Sequence, residues 1–80
     1  MTNRDRVLSA LAEAGTPVHA LEITRRTGIP YGTVYSLLRT LVAEELAVVS
    51  VETGPHKARP ARHFYEITED GIRQTLKETP

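Results

Sequence analysis

Two glycines, Gly15 and Gly28, interrupt the helical pattern in the first half of the chain and keep its helices short. Each follows a run of apolar residues at helical spacing, and glycine is the usual residue at the left-handed end of a helix. Behind Gly15, Pro17 biases Thr16 away from the helical region, which predicts an extended connector. The sequence therefore predicts three short helices in succession.

The spacing of the apolar residues sets the predicted limits of these helices. The first runs from Asn3 to Ala14, with Thr2 or Asn3 as its N-cap, and the second from His19 or Ala20 to Thr27. The third begins at Pro30 or Tyr31 and continues to about Glu45. Its apolar stripe comprises Val34, Leu38, Leu41 and Val42.

After the third helix the pattern changes to that of strands. The β-branched residues Val48, Val49 and Val51 predict a first strand. Residues 62–68 alternate, with Tyr65 and Ile67 on one side, and predict a second strand that closes a hairpin. Thr68 is a suitable N-cap for a last short helix, which carries Ile72 and Leu76. The predicted fold is α+β: three helices, a two-stranded hairpin and a short C-terminal helix.

Composition limits the class of protein. The 80 residues predict one domain, residues 1–80, without cysteine, which excludes disulfide scaffolds, zinc–thiolate sites and thiol catalysis. His19, His56 and His63 share no metal-ligand spacing, and no glycine-rich phosphate loop or paired-carboxylate site is recognisable. Apolar runs are too short for a membrane span or a signal peptide. We expect a cytoplasmic protein that is not an enzyme and binds no cofactor, metal or membrane.

Charge is balanced overall but segregated along the chain. Ten basic and ten acidic residues cancel. Residues 23–43 nevertheless carry Arg25, Arg26 and Arg39 without an acidic residue, and residues 53–65 carry Lys57, Arg59 and Arg62, again without one. If the fold brings these two segments together, they form one positive face of the kind that binds nucleic acid.

The second and third helices have the features of a helix-turn-helix, joined by Gly28-Ile29-Pro30. This motif places the first residues of its second helix in the major groove of duplex DNA. The predicted recognition residues are Tyr31, Gly32, Thr33, Tyr35, Ser36 and Arg39. The predicted supporting contacts come from Arg25 and Arg26 on the second helix and from Lys57, Arg59 and Arg62 on the hairpin, which then acts as a wing.

Residues 22–41, with the block Gly32-Thr33-Val34-Tyr35, resemble the central motif of PadR-type winged-helix transcriptional regulators. The later segment Tyr65-Glu66-Ile67-Thr68-Glu69-Asp70-Gly71 resembles the end of that family's wing. The resemblance implies a DNA-binding repressor, typically a homodimer on an inverted-repeat operator. Two positions depart from the family pattern, since Glu45 stands where glycine is usual and Ser36 where proline is common.

The resemblance also bears on dimerisation, because the long C-terminal helices of the family have no counterpart in these residues. The expected homodimer would instead use whichever apolar faces the core leaves free on the first helix (Val7, Leu8, Leu11) and the last (Ile72, Leu76), with DNA assisting its assembly. We expect a sequence-specific repressor that acts by occupying its operator. Two alternatives stay open: a DNA-binding protein of plasmid or phage replication or partition, and a winged-helix module that binds other proteins.

Overall fold

A computed structural model of the protein describes residues 1–52 and 62–77. Its elements are, in order, α1 (Asn3–Ala14), α2 (Ala20–Thr27), α3 (Tyr31–Ala43), β1 (Ala47–Val51), β2 (His63–Ile67) and α4 (Glu69–Lys77). Within these residues, helices in this order with an antiparallel hairpin form a winged helix-turn-helix. The predicted α+β fold is confirmed.

The first two helices begin and end where the sequence predicts. Thr2 caps α1, because its hydroxyl accepts a hydrogen bond from the Asp5 backbone N–H at 3.1 Å. The Asp5 carboxylate accepts the N–H of Thr2 at the same distance, which completes a capping box. Gly15 and Gly28 end α1 and α2 with φ values of 65° and 77°. This left-handed conformation costs glycine no strain.

The third helix ends at Ala43, earlier than the predicted limit near Glu45. Glu45 leaves the helical region with a φ of 64°. The backbone N–H groups of Glu45 and Leu46 donate to the carbonyls of Val42 and Leu41. This pair of bonds is a Schellman motif, in which the left-handed residue is usually glycine. The predicted limit near Glu45 is two residues too late, and the turn lies at the position where the resembling PadR family usually has glycine.

The wing is an antiparallel pair of strands in which Val49 lies opposite Tyr65. The second strand is one residue shorter at each end than the predicted 62–68. Val18 extends the sheet beyond β2, since Val18 and Tyr65 exchange backbone hydrogen bonds of 3.0 and 2.7 Å. The segment before α2 is therefore fixed to the wing. Residues 53–61, which contain the predicted wing tip, lie outside the described residues.

The core lies between α1, α2, α3 and the inner face of the wing. Its largest fully buried side chains are Leu8, Leu11, Ile23, Leu38, Leu41, Val7 and Val34. Ile29 from the helix-turn-helix turn and Tyr65 from β2 complete it. Since Val7, Leu8 and Leu11 are all buried in this core, α1 cannot offer them to the predicted dimer contact.

Thr68 fixes α4 to the junction between α3 and β1. Its hydroxyl donates to the Glu45 carbonyl at 2.8 Å and accepts the N–H of Gly71 at 3.0 Å, as expected for the predicted N-cap. Gly71 is buried, and a Cβ at this position would lie 2.2 Å from the Leu46 carbonyl oxygen and 2.6 Å from the Ile67 side chain. Only glycine allows α4 to pack this closely.

The outer face of α4 carries two exposed apolar side chains beside the charged Glu69, Asp70 and Arg73. Ile72 and Leu76 are 45% and 69% exposed, although the helix packs against α1 and β2 through its other side. In the described ranges, the helices are too short or too polar to cross a membrane.

Candidate nucleic-acid interface

The outer face of α3 carries the six residues that the sequence assigns to DNA recognition. All are exposed: Tyr31, Gly32, Thr33, Tyr35, Ser36 and Arg39. Val34, Leu38 and Leu41 point into the core, so the helical period turns the positions between them outward. Because α3 contains no acidic residue, this face presents hydroxyl groups and one guanidinium. Such groups can hydrogen-bond to base edges and phosphates in a major groove.

Two tyrosines form the side of this face that is nearest the wing. The rings of Tyr31 and Tyr35 lie one helical turn apart, with centroids separated by 6.3 Å and planes inclined by 20°. They remain 53% and 39% exposed, so neither ring is buried in the core. Their hydroxyl groups and ring faces are available to a partner.

A cleft separates α3 from the wing, and we call it the α3–wing cleft. It consists of two cavities of about 280 and 240 Å³ that share Tyr35, His63 and Tyr65. Arg62 lines the larger cavity and Arg39 the smaller. The other lining residues are His19, Ala20, Leu21, Tyr31, Val42 and Val49. None of the described residues that line the cleft is acidic, so the cleft favours an anion.

Tyr65 contributes to the wall of both cavities, although it is only 4% exposed. Its burial matches the prediction from strand alternation. Burial raises the pKa of the phenol, and the neighbouring Tyr35 and Tyr31 raise it further, whereas the Arg39 guanidinium lowers it. Because the pKa lies above its ordinary value near 10, the hydroxyl stays protonated at neutral pH and can donate a hydrogen bond.

Two histidines of the cleft are functional candidates that sequence reasoning did not assign to the site. His19 was placed correctly at a helix start, where its Nδ1 accepts the N–H of Glu22 at 3.2 Å and caps α2. His63 begins β2 and borders both cavities. The alternation of the strand contains the missing signal, since His63 lies two positions from Tyr65 and therefore on the same face.

The basic residues of α2 are partly neutralised within the protein. The Arg26 Nε lies 3.0 Å from the Glu22 carboxylate, and the Arg25 guanidinium lies 3.9 Å from it. Surface pairs of this kind contribute about 1 kcal/mol or less. DNA can therefore compete for either arginine, but the positive field of α2 is weaker than its sequence suggests.

The wing places Arg62 beside the cleft. Its backbone carbonyl accepts the Glu52 N–H at 2.8 Å, and its own N–H lies 3.4 Å from the Glu52 carboxylate, so two hydrogen bonds hold its backbone. Its side chain is exposed. Lys57 and Arg59, the other predicted wing contacts, lie outside the described residues, and their role stays a prediction.

The model of the IclR helix-turn-helix domain matches residues 6–49, from α1 through α2 and α3 into β1. The chain belongs to the IclR helix-turn-helix domain family. As an IclR-type domain, it is a DNA-binding regulator in which α3 has the position of the recognition helix.

Solved structures share the fold of this IclR-type domain. A proposed DNA-binding protein of Ralstonia eutropha JMP134 is 29% identical, with a TM-score of 0.76 over 96% of this chain and 94% of that one. A PadR family regulator of Eggerthella lenta is 21% identical, with a TM-score of 0.74 over 89% of this chain and 65% of that one. A point mutant of S. aureus MepR is 22% identical, with a TM-score of 0.77 over 95% and 54%.

The predicted resemblance to PadR regulators is thus confirmed at the level of the fold, while the matching family model is that of IclR. The chain spans about two thirds of the PadR regulator and about half of MepR. No curated protein matches the sequence.

Proposed function

We propose that this IclR-type domain binds a specific duplex DNA site and represses transcription by occupying an operator. α3 enters the major groove with its outer face, while the wing follows the neighbouring backbone or minor groove. Repression by occupancy requires affinity and position but no chemical step. The protein then acts in the cytoplasm as a single domain of residues 1–80, without a cofactor, metal or enzymatic activity.

The observation that carries this proposal is the exposed face of α3, which lacks acidic residues. It continues into a cleft whose described lining residues also include none. A face that bound another protein by apolar contact would carry large apolar side chains at its centre. Here the centre of the face is polar or small, with Gly32, Ser36 and Arg39, and the tyrosines lie at one side. The MepR mutant with the same fold is bound to an oligodeoxyribonucleotide, which supports a similar role for this face.

We further propose that the functional unit is a homodimer on an inverted repeat. One winged helix contacts only a few base pairs, too few to be unique among roughly 10⁶ or more competing genomic sites. The outer face of α4, with Ile72 and Leu76, offers the surface for a second copy. The patch is small, so DNA assists assembly by holding both protomers on adjacent half-sites.

Selection from random duplexes tests the proposal, followed by footprinting on the chain's own upstream region and transcription in vitro. We expect one family of related sequences, a footprint that overlaps a promoter, and fewer transcripts as the protein is added. Arg39→Gln should weaken binding, whereas Arg4→Gln removes the same charge from α1, outside the residues assigned to DNA and the α4 patch, and serves as the matched control.

Other outcomes identify the alternatives. A footprint at a replication or partition site, without an effect on transcription, would favour a role in replication or partition. Failure to bind any duplex, at any salt concentration, would favour a protein-interaction module and overturn the proposal.

A further inference from the structure

The Tyr65 hydroxyl combines a buried, fixed ring with an oxygen that has no hydrogen-bond partner among the described residues. Tyr65 belongs to the core and is more than nine-tenths buried, yet none of the described residues forms a hydrogen bond with its hydroxyl. Among the described residues, Thr24 Oγ1 is the side-chain atom that is fully enclosed without a hydrogen-bond partner. The unpartnered Tyr65 oxygen is therefore not fully enclosed. It opens on the α3–wing cleft that Tyr65 lines. The hydroxyl is therefore open to the cleft and can donate a hydrogen bond to a molecule that enters it.

The surroundings of this hydroxyl are suited to an anion. Its electrostatic neighbours on α3 are Tyr35, Tyr31 and Arg39. From the wing side, His63 borders both cavities and Arg62 borders the larger one. Among its described residues the cleft has two guanidinium groups, several phenolic donors and no carboxylate, and this lining matches the acceptor oxygens of a phosphate.

The position of the cleft distinguishes a backbone phosphate from a base. Base edges form the floor of the major groove, and the outward residues of α3 such as Ser36 face that floor when the helix enters. The cleft lies instead between α3 and the wing, at the side of the helix. A DNA strand that passes between α3 and the wing presents the wall of the groove to the cleft, and the phosphates lie along this wall.

We propose that the α3–wing cleft holds one phosphate of the DNA backbone and that the Tyr65 hydroxyl donates a hydrogen bond to it. The proposal rests on the proposed function and adds a positioning residue from the core. Because Tyr65 is held by core packing and by the Val18 bridge, its hydroxyl is a fixed reference point. A phosphate bound there sets the depth and angle at which α3 enters the groove.

The substitution Tyr65→Phe removes the hydroxyl and keeps the ring. Hydrogen bonds to charged groups are strong, so we expect roughly tenfold weaker binding to the selected duplex and to random duplex alike. Thermal stability should be unchanged or slightly higher, since no described residue of the protein loses a partner. Thr16→Val removes a hydroxyl outside the cleft and α3, and should change neither quantity.

Duplexes with single neutral methylphosphonates identify the phosphate. We expect one methylphosphonate position in each half-site to lower the affinity of the unsubstituted protein. The same methylphosphonate should leave the affinity of Tyr65→Phe unchanged. Unchanged DNA affinity of Tyr65→Phe would overturn the proposal, as would losses that add to those of the substitution at every phosphate position. If the unsubstituted protein selects no sequence at all, the proposed function itself fails, and this outcome is distinct from either result.

Discussion

Glu45 lies in a turn whose left-handed backbone conformation favours glycine, which has no side chain. A left-handed conformation costs a residue with a Cβ roughly 1–2 kcal/mol, and Glu45 has a φ of 64° with an exposed side chain. We expect Glu45→Gly to raise the free energy of unfolding by about 1 kcal/mol in urea denaturation, with DNA affinity unchanged. Glu45→Ala is the matched control, because it removes the carboxylate but keeps the strain. Equal gains from both variants would mean that charge, not backbone conformation, is responsible.

Gly32 and Gly71 should respond in opposite ways when each is replaced by alanine. A Cβ at Gly32 would meet no atom within 4 Å, and its backbone lacks the positive φ that requires glycine. Gly32→Ala should therefore raise stability by up to about 1 kcal/mol, yet weaken DNA binding because the methyl group projects from the recognition face. Gly71→Ala should cost about 2–3 kcal/mol or prevent folding, since its Cβ would collide with the Leu46 carbonyl. Thermal unfolding and DNA titration separate these effects. Unchanged binding by Gly32→Ala would show that the first turn of α3 does not approach DNA.

At the scale of elements, α3 and the wing should make different kinds of contact. We expect Ser36→Ala and Thr33→Ala to lower the ratio of specific to random binding by about 1–3 kcal/mol per lost base contact. Arg62→Gln should weaken binding to all sequences and reduce the slope of log affinity against log salt by about one. Titrations at several salt concentrations measure both. An unchanged ratio in the first pair would contradict the recognition helix, and an unchanged slope for Arg62→Gln would remove the wing from the interface.

The elements were predictable from sequence where a single residue signals the boundary. Gly15 and Gly28 end their helices in the left-handed conformation, and Thr2 and Thr68 cap as expected. The end of α3 was predicted two residues too late, because Glu45 adopts the same conformation without being a glycine. Local patterns also identified the outward residues of α3, which follow from the helical period.

Local sequence patterns could not predict the α3–wing cleft. It exists only because β2 packs against α3, and residues far apart in sequence, such as His19 and His63, meet there. The ion pairs of Glu22 with Arg25 and Arg26 also depend on side-chain placement that spacing alone did not resolve.

For the whole molecule, we expect the exposed apolar side chains of α4 to hold two protomers together. We expect two protomers on each footprinted site in sedimentation, with cooperative binding. Leu76→Asp should reduce that cooperativity without unfolding the chain, because Leu76 is 69% exposed. Thr16→Asp introduces the same charge on the connector after α1 and should leave assembly unchanged. One protomer per site, with no palindrome in the footprint, would contradict the dimer and leave the DNA-binding fold intact.

The bridge between Val18 and Tyr65 also governs how this protein folds. Its two hydrogen bonds join a segment near the start of the chain to a strand near its end. Contacts of such large sequence separation form late, because the intervening chain must first be ordered. We therefore expect the helix-turn-helix and the wing to fold as one unit, with the amides of Val18 and Tyr65 becoming protected from hydrogen exchange in the same late step. The DNA-binding surface is then either complete or absent, with few half-formed molecules to occupy DNA wrongly.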